Sequence, residues 1–224
     1  MSKISRGEKG EQKVKDVLSK IDVHHHLLND ITLISYESGM SHQLDHILIH
    51  PHGLFVIETK NYYGKIIFLP KEKQWFTVIN NINKKVPDPI LQNKSHAVSL
   101  YKALKGKYKV IPIVVFVKNN APYIDDENVI NLDDLLLFID SYPYEHLYTD
   151  KSIDKIKALI ENAAVDITRR EHVENISYLK QYRKELYAEK QYAIEKGMCP
   201  RCNNKIIARG YEYKCSKCDF SFKI

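Results

Sequence analysis

Two short apolar segments separated by a turn constrain the fold of this 224-residue chain more than any other feature. Residues 44–49 and 53–60 are rich in aliphatic and β-branched side chains, which is typical of two paired strands. Downstream, Asp and Pro at 88–89 predict a helix start, and the apolar run 110–117 predicts a buried strand. This order predicts an α/β fold with a mixed central sheet flanked by helices.

Three charged residues lie on the two segments where apolar residues are expected. Because side chains alternate along a strand, Asp45 should share a face with Ile47, and Glu58 should share one with Val56 and Lys60. An isolated buried charge is costly, so these groups should be paired or bound to a metal. Two carboxylates that hold Mg²⁺ beside a lysine favour phosphodiester cleavage, and a buried salt-bridge network without catalysis is the alternative.

Two further polar residues are candidates for the same site. Glu11 lies three positions before Val14, on the apolar stripe of a helix predicted over residues 5–21. Gln92 lies in the first turn of the helix that begins at residue 88. The alternative is that Gln92 and its neighbour Asn93 only cap that turn.

Composition and charge bound the class of protein. The chain is 44% hydrophobic and 28% charged, as in globular domains, and it has no apolar run long enough to span a membrane. It also lacks an apolar signal core near its first residue, which predicts a cytoplasmic location. Residues 168–224 hold 13 Lys and Arg against 7 Asp and Glu, whereas residues 1–167 hold 21 of each. This asymmetry favours a basic appendage that holds a polyanion, and a solvated basic helix is the alternative.

The four cysteines form two C-x₂-C pairs separated by twelve residues. This spacing predicts one tetrahedral Zn²⁺ site in which each pair supplies two sulfurs, namely Cys199, Cys202, Cys215 and Cys218. The tail is too short to bury a core, so the metal should supply its folding energy.

The zinc tail has two possible roles. It could be a structural clip or a protein-docking module, or it could bind nucleic acid, which its basic and aromatic interleaving favours. The candidate phosphate-binding residues are Arg201, Lys205, Arg209, Lys214 and Lys217. The candidate base-stacking residues are Tyr211, Tyr213, Phe220 and Phe222.

Three adjacent histidines, His24 to His26, lie where the first predicted helix gives way to a strand. Histidines in such a junction are more often loop residues than metal ligands. We therefore interpret them as part of a loop.

Several stretches of residues 5–120 carry a family resemblance. They are Gly7-x-x-Gly10-Glu11, Gln43-Leu-Asp45-His46-Ile47, Gly53-Leu-Phe-Val-Ile-Glu58-Thr-Lys60-Asn61-Tyr-Tyr-Gly64, Trp75 and Asp88-Pro89-Ile-Leu-Gln92-Asn93. In this order and spacing they resemble the nuclease-related domain, abbreviated NERD. That domain is placed among the PD-(D/E)xK nucleases, the superfamily of many restriction enzymes. The tail resembles the four-cysteine zinc domain at the C-termini of bacterial type I topoisomerases.

The resemblance implies a restriction-endonuclease-like core and a role for each candidate residue. Asp45 and Glu58 would ligate Mg²⁺ or Mn²⁺, and Lys60 would position or deprotonate the attacking water and stabilise phosphorane charge. Glu11 would orient the site or add a ligand through water, and Gln92 would hold the water or a phosphate. Taken together, the roles that the resemblance implies are those of a metal-dependent endonuclease acting on DNA.

Two residues beside Asp45 bear on this reading. Leu44 stands where the name-giving motif of the superfamily has proline, a common substitution in so divergent a group. His46 and Lys60 could each act as the general base. We favour Lys60, because His46 should face away from Asp45.

These predictions divide the chain into a nuclease-like core (1–145), a helical arm (146–197) and a zinc ribbon (198–224). Two other functions stay open: a non-catalytic DNA-binding or scaffolding protein, and a nuclease acting on RNA. The arm has an uneven apolar seam that could mediate contact between two copies in a homodimer.

Overall fold

The computed structural model describes residues 5–35, 38–121, 126, 128–142 and 147–223, and these residues form both helices and strands. The helices are α1 (Arg6–Leu18), α2 (Pro89–Ala103), α3 (Leu135–Ser141, preceded by a 3₁₀ turn at Leu132–Asp134), α4 (Asp150–Ala163) and α5 (Arg169–Lys196). The strands are β1 (His26–Ile34), β2 (Ser41–His50), β3 (Gly53–Lys60), β4 (Lys65–Leu69), β5 (Gln74–Ile79), β6 (Ile82–Val86), β7 (Val110–Phe116), β8 (Val129–Asn131), β9 (Ile206–Arg209), β10 (Glu212–Cys215) and β11 (Ser221–Lys223). No helix among these residues is both long and apolar enough to cross a membrane.

The central sheet has five strands in the order β1-β2-β3-β7-β8. The first three strands are antiparallel, while β7 runs parallel to both β3 and β8. The apolar run that forms β7 therefore lies inside the sheet, as its composition predicts. The mixed α/β architecture predicted from the sequence is confirmed, and it is consistent with a restriction-endonuclease-like fold.

Helices cover both faces of the sheet. On one face, α1 and α3 place Val14, Leu18, Leu135 and Ile139 against Leu48, Phe55 and Ile57. On the other face, α2 and α4 place Leu100, Leu104, Ile153, Ile156 and Ile160 against Ile47, Ile49, Leu54 and Val56. Burial of each such side chain contributes about 1.5–3 kcal/mol, so the strands that carry the charged residues are firmly held.

The start of α2 is fixed by its cap and by a clamp to the sheet. Asp88 accepts hydrogen bonds from two backbone amides of the first turn at 2.8 and 3.0 Å, and Pro89 occupies the first helical position. One turn later, the buried Asn93 amide donates to the carbonyls of Val56 (3.0 Å) and Ile113 (2.8 Å). The N-terminal turns of α2 are therefore held against β3 and β7.

A second antiparallel sheet, in the order β4-β5-β6, adjoins this core through Trp75, which stacks on Phe116. Aliphatic and aromatic residues at 66–69 and 75–79 predict two paired strands, followed by a polar turn over residues 80–83. In the structure the turn is shorter, because Asn80 and Asn81 adopt the left-handed conformation and the chain pairs again as β6.

The chain divides into two compact units, Met1–Ile167 and Thr168–Ile224. Helix α4 belongs to the first unit, since its buried isoleucines at 153, 156 and 160 pack in the core. The predicted three-part division, with an arm that begins at residue 146, stays a prediction.

The second unit consists of α5 and a three-stranded sheet in the order β11-β10-β9. Gly197, with φ of 64°, ends α5 in the left-handed conformation that glycine favours. The apolar cluster of this unit is small: the buried residues are Ala193, Cys199, Ile206, Phe220 and Phe222. Its stability therefore cannot come from packing alone.

Candidate active site and cysteine cluster

Two carboxylates lie opposite each other where β2 and β3 leave their paired region. The last paired residues in register are His46 and Ile57, and Asp45 and Glu58 are the next positions along the two strands. In an antiparallel pair, opposite residues point to the same face. Asp45 and Glu58 therefore face the side of the sheet that α2 covers, as the alternation of side chains predicts.

Lys60 links the acidic residues to α2. Its Nζ donates to Oε1 of Glu58 at 2.6 Å and to Oε1 of Gln92 at 3.1 Å. The backbone amide of Thr59 donates to Oδ2 of Asp45 at 2.8 Å. The structure thus brings four of the predicted site residues together: Asp45, Glu58, Lys60 and Gln92.

His96 completes the surroundings of Glu58, and it is not among the site residues predicted from the sequence. Its Nδ1 lies 3.2 Å from Oε2 of Glu58, in a contact whose geometry falls short of an aligned hydrogen bond. Both side chains are buried, at 8% and 3% exposure. The spacing of four residues from Gln92 on α2 is the signal that could have identified it, because residues i and i+4 share a helix face.

Burial and mutual contact move the pKa values of the three ionisable groups in different directions. Burial, reinforced by the Glu58 carboxylate, raises the pKa of Asp45 to about 8. Burial opposes ionisation of Glu58, but His96 and Lys60 outweigh it and lower the pKa of Glu58. Burial also acts against the Lys60 ammonium, yet Glu58 raises the pKa of Lys60. Without a cation, the site therefore favours a protonated Asp45 beside a Glu58–Lys60 ion pair.

The arrangement fits a hard divalent cation. Oxygen ligands from carboxylates are the ligands that Mg²⁺ and Mn²⁺ prefer, and Asp45 and Glu58 supply them from adjacent strands. Oε2 of Glu58 is buried without an aligned hydrogen-bond donor among the described residues. Asp45, Lys60 and Gln92 are each partly buried, so the site keeps some exposure to solvent. A cation between the carboxylates would displace the proton of Asp45.

Glu11 approaches this site from α1, which packs closely beside the end of β3. A Cβ atom on Gly10 would lie 2.8 Å from Cβ of Asn61, so only glycine permits this approach. The Asn61 amide donates to the carbonyl of Arg6 at 2.9 Å and fastens the helix there. The charge of Glu11 adds to the raised pKa of Asp45, for which burial is the larger cause.

The structure decides two alternatives that the sequence left open: whether Gln92 and Asn93 only cap α2, and which face of the sheet His46 occupies. Gln92 and Asn93 are not capping residues, because their side chains bond Lys60 and two strand carbonyls while Asp88 caps the helix. His46 is fully buried, and its Nδ1 lies 2.7 Å from Oδ1 of Asn29. His46 packs on the opposite face from Asp45, as predicted.

The four cysteine sulfurs converge in the second unit. The Sγ separations are 3.6 Å for Cys199–Cys218, 3.4 Å for Cys202–Cys215 and 3.5 Å for Cys202–Cys218. Four thiolates about 2.3 Å from one tetrahedral Zn²⁺ would be separated by similar distances. Hydrogen bonds from Asn204 lower the pKa of Cys202 to about 6, which favours its thiolate. The cluster could therefore hold one metal ion.

The five basic candidates of the ribbon are all exposed: Arg201, Lys205, Arg209, Lys214 and Lys217. Two of them already have acidic partners, since Arg201 lies 3.3 Å from Glu189 and Lys214 lies 3.2 Å from Glu212. Exposed ion pairs are weak, so both remain able to exchange a carboxylate for a phosphate.

Most of the aromatic residues of the ribbon are not placed to stack on bases, contrary to the prediction from the sequence. Phe220 and Phe222 are buried, and Tyr213 stacks on Phe222 with ring centroids 4.9 Å apart. These rings form the small core of the ribbon and are not available to bases. Tyr211, which is 81% exposed at the tip of the β9–β10 turn, is the aromatic candidate that remains.

Comparison with known proteins places this geometry in context. The family model described as the nuclease-related domain matches residues 6–117, which run from α1 to the end of β7. An uncharacterized protein of Bacillus anthracis is 30% identical to the chain over 152 residues, covering 65% of this chain and 71% of that protein. No solved structure matches the chain. We call the cluster of Asp45, Glu58, Lys60, Gln92 and His96 the strand-end site. The matched range contains all of these residues.

Proposed function

The chain belongs to the nuclease-related domain family, and from that membership we propose that it is a metal-dependent nuclease that hydrolyses phosphodiester bonds of DNA. One observation carries the proposal: Asp45 and Glu58 leave adjacent strands at the same place, with Lys60 between Glu58 and Gln92. Acidic oxygens beside a fixed ammonium suit a reaction in which negative charge develops on a phosphate.

Asp45 and Glu58 would hold Mg²⁺ or Mn²⁺. Such an ion, when bound, polarises a phosphate oxygen and makes a coordinated water more acidic. The residues support this role because Thr59 orients one carboxylate through its amide, while Lys60 and His96 fix the other. Rigid ligands hold a reacting group in place without reorganisation during the reaction.

Lys60 and Gln92 would act on the substrate side of the site. The short contact with Glu58 keeps Lys60 in its ammonium form, so Lys60 would position the attacking water and stabilise negative charge on the phosphorane. A protonated Lys60 would not serve as the general base that the sequence favours. Gln92 gives its carbonyl oxygen to Lys60, and we assign its amide nitrogen to the water or to a phosphate oxygen. Glu11 would orient the site through water.

The cysteine cluster would hold structural Zn²⁺, and the exposed cations of the ribbon and α5 would bind the phosphate backbone. None of these proposed contacts distinguishes deoxyribose from ribose by its 2′-hydroxyl group, so RNA is the alternative substrate. The proposal includes a cytoplasmic location. The homodimer stays a prediction. Ala193 of the apolar seam is buried within the second unit itself, and no contact between two copies supports the described residues of the seam.

A non-catalytic DNA-binding or scaffolding protein is the second candidate function. One observation favours it: the Glu58–Lys60 pair at 2.6 Å is already charge-neutral, so the fold tolerates this site without an ion. Such a pair could persist as a structural remnant of a nuclease.

A plasmid cleavage assay separates the two functions. We expect the wild-type protein to nick supercoiled DNA in Mg²⁺ or Mn²⁺ and not when these ions are left out. We expect Asp45→Ala and Lys60→Ala each to abolish nicking while DNA binding survives. Lys65→Ala, which changes an exposed lysine at the start of β4, is the matched control and should cleave normally. If the wild type binds DNA but is as inert as both variants, the scaffolding function gains. Single-stranded RNA in a parallel reaction tests the alternative substrate.

A further inference from the structure

Three side chains of the first unit converge at the start of β1, where His26 pairs in register with Ile49, four positions along β2 from Asp45. Nε2 of His26 lies 2.7 Å and Nε2 of His24 lies 3.0 Å from the same atom, Oδ1 of Asp154. The two imidazole rings meet edge to face, with centroids 5.3 Å apart and an interplanar angle of 74°. Two ring nitrogens and a carboxylate oxygen thus point at one small volume.

The packing of the core fixes this convergence. Asp154 follows Ile153, which is fully buried among the strands, so α4 presents the carboxylate beside the start of β1. His26 is the first residue of β1, and His24 precedes it by two positions. The intervening His25 does not join them, because its Nδ1 contacts the carbonyl of Val23 at 2.8 Å.

The donor set suits a transition-metal ion better than Mg²⁺. Neutral imidazole is a ligand for Zn²⁺, Cu²⁺ and Ni²⁺, and a carboxylate completes many such sites. The three ligand atoms all lie within 4.8 Å of one another. Zn²⁺ at about 2.0–2.2 Å from each atom would need them roughly 3.3 Å apart, so the His26 and His24 nitrogens would move away from the Asp154 oxygen by about 0.6 and 0.3 Å.

We propose that His24, His26 and Asp154 bind one Zn²⁺ ion, with three protein ligands and a fourth position open to water. The side chains of these residues are 39%, 26% and 60% exposed, so the ion can enter from solvent without any opening of the core. This site is separate from the carboxylate pair at the strand ends and from the cysteine cluster. Bound Zn²⁺ would join the start of β1 to α4 and so stabilise the fold of the first unit.

Zinc titration calorimetry of the full chain, with its cysteine cluster already filled by one equivalent of Zn²⁺, tests the proposal. With excess Mg²⁺ present to occupy Asp45 and Glu58, we expect the wild type to bind one further Zn²⁺ and its unfolding temperature to rise as that ion binds. His26→Gln and Asp154→Asn should each weaken the further ion by about 100-fold or more, since each removes a direct ligand. His25→Gln is the matched control, because it changes an adjacent histidine outside the cluster, and it should bind Zn²⁺ as the wild type does.

The opposing outcome is that the trio is only a hydrogen-bonded clamp between β1 and α4. In that case the wild type takes up no ion beyond that of the cysteine cluster, or His26→Gln binds as much Zn²⁺ as the wild type. Either result overturns the proposal. If Asp154→Asn unfolds, His24→Gln supplies the same test from β1, and circular dichroism shows which variants retain the fold. DNA cleavage is not a readout, so the result is independent of the proposed nuclease activity.

Discussion

The strand-end site and the cysteine ribbon are both clusters of potential metal ligands, yet they are built differently. At the strand ends, Glu58 and Lys60 neutralise each other inside a well-packed sheet, and His96 lies against Glu58. In the ribbon, four sulfurs converge beside a small apolar cluster, with three of their pairs 3.4–3.6 Å apart. On the proposed function, a cation would serve chemistry in the first region and folding in the second.

Removal of metal from the whole chain sharpens this comparison and should have the largest effect. Structural Zn²⁺ in small domains supplies about 10–16 kcal/mol of apparent binding free energy, so the ribbon should unfold outright. Amide hydrogen exchange after chelation should show loss of protection over residues 199–223, while residues 44–60 keep theirs. Cys215→Ser should reproduce the loss, and Ser221→Ala, an exposed change in the same sheet, should not. If the ribbon kept its protection from amide exchange without metal, its folding would not depend on a metal ion, and the two regions would not differ in this respect.

Removing one partner of the Glu58–Lys60 ion pair tests whether that pair stabilises the fold when no metal ion is bound. Lys60→Met removes the main partner of the buried Glu58, and we expect the free energy of unfolding to fall by about 3 kcal/mol. The double variant with Glu58→Gln should lose less than Lys60→Met alone, because no buried charge is left unpaired. Urea unfolding measures both. Lys65→Met, at an exposed position, should change stability by less than about 0.5 kcal/mol. Purely additive losses would mean that the two side chains do not interact.

Acidification should destabilise the first unit through His50, which lies next to the β2–β3 turn. Burial, with a smaller effect of His52 nearby, lowers the pKa of His50 to about 4 against opposition from Asp140. His25 adds a further small repulsion, and the His50 Nδ1 already accepts the backbone amide of His52. Because the unfolded chain takes up this proton near pH 6.5 and the folded chain only near 4, stability is lost as pH falls through that window.

The variant His50→Phe should remove this loss. We expect the drop in unfolding free energy between pH 7 and pH 4.5 to be about 2 kcal/mol smaller than in the wild type. Urea unfolding at the two pH values gives the difference directly. An equal drop in both proteins would show that His50 is protonated as readily in the folded chain as in the unfolded chain.

The smallest predicted effect concerns single cations of the ribbon and DNA binding. Lys205→Gln should lower the slope of log affinity against log salt by about 0.9, because one phosphate contact is lost. Lys214→Gln should lower it less, since Glu212 at 3.2 Å already neutralises that lysine. Binding titrations at several salt concentrations compare them. If deletion of residues 199–224 leaves the slope unchanged, the ribbon is a docking module.

Local patterns account for what the sequence predicts well. The alternation around Asp45 and Glu58, the Asp88–Pro89 helix start and the cysteine spacing each depend on residues close in sequence. The contacts that escape prediction join distant segments. His96 reaches Glu58 only because Asn93 clamps α2 onto the sheet, and His26 meets Asp154 across more than a hundred residues. Strands β6 and β11 escape because short polar strands carry little periodicity.

The central claim is that Asp45 and Glu58 hold one divalent cation, and counting Mn²⁺ bound by the zinc-filled protein tests it most directly. We predict that the wild type binds one Mn²⁺ that Asp45→Asn and Glu58→Gln both lose, while Asp16→Asn, a surface change on α1, retains it. Equal Mn²⁺ binding by the wild type and both carboxylate variants would contradict the account.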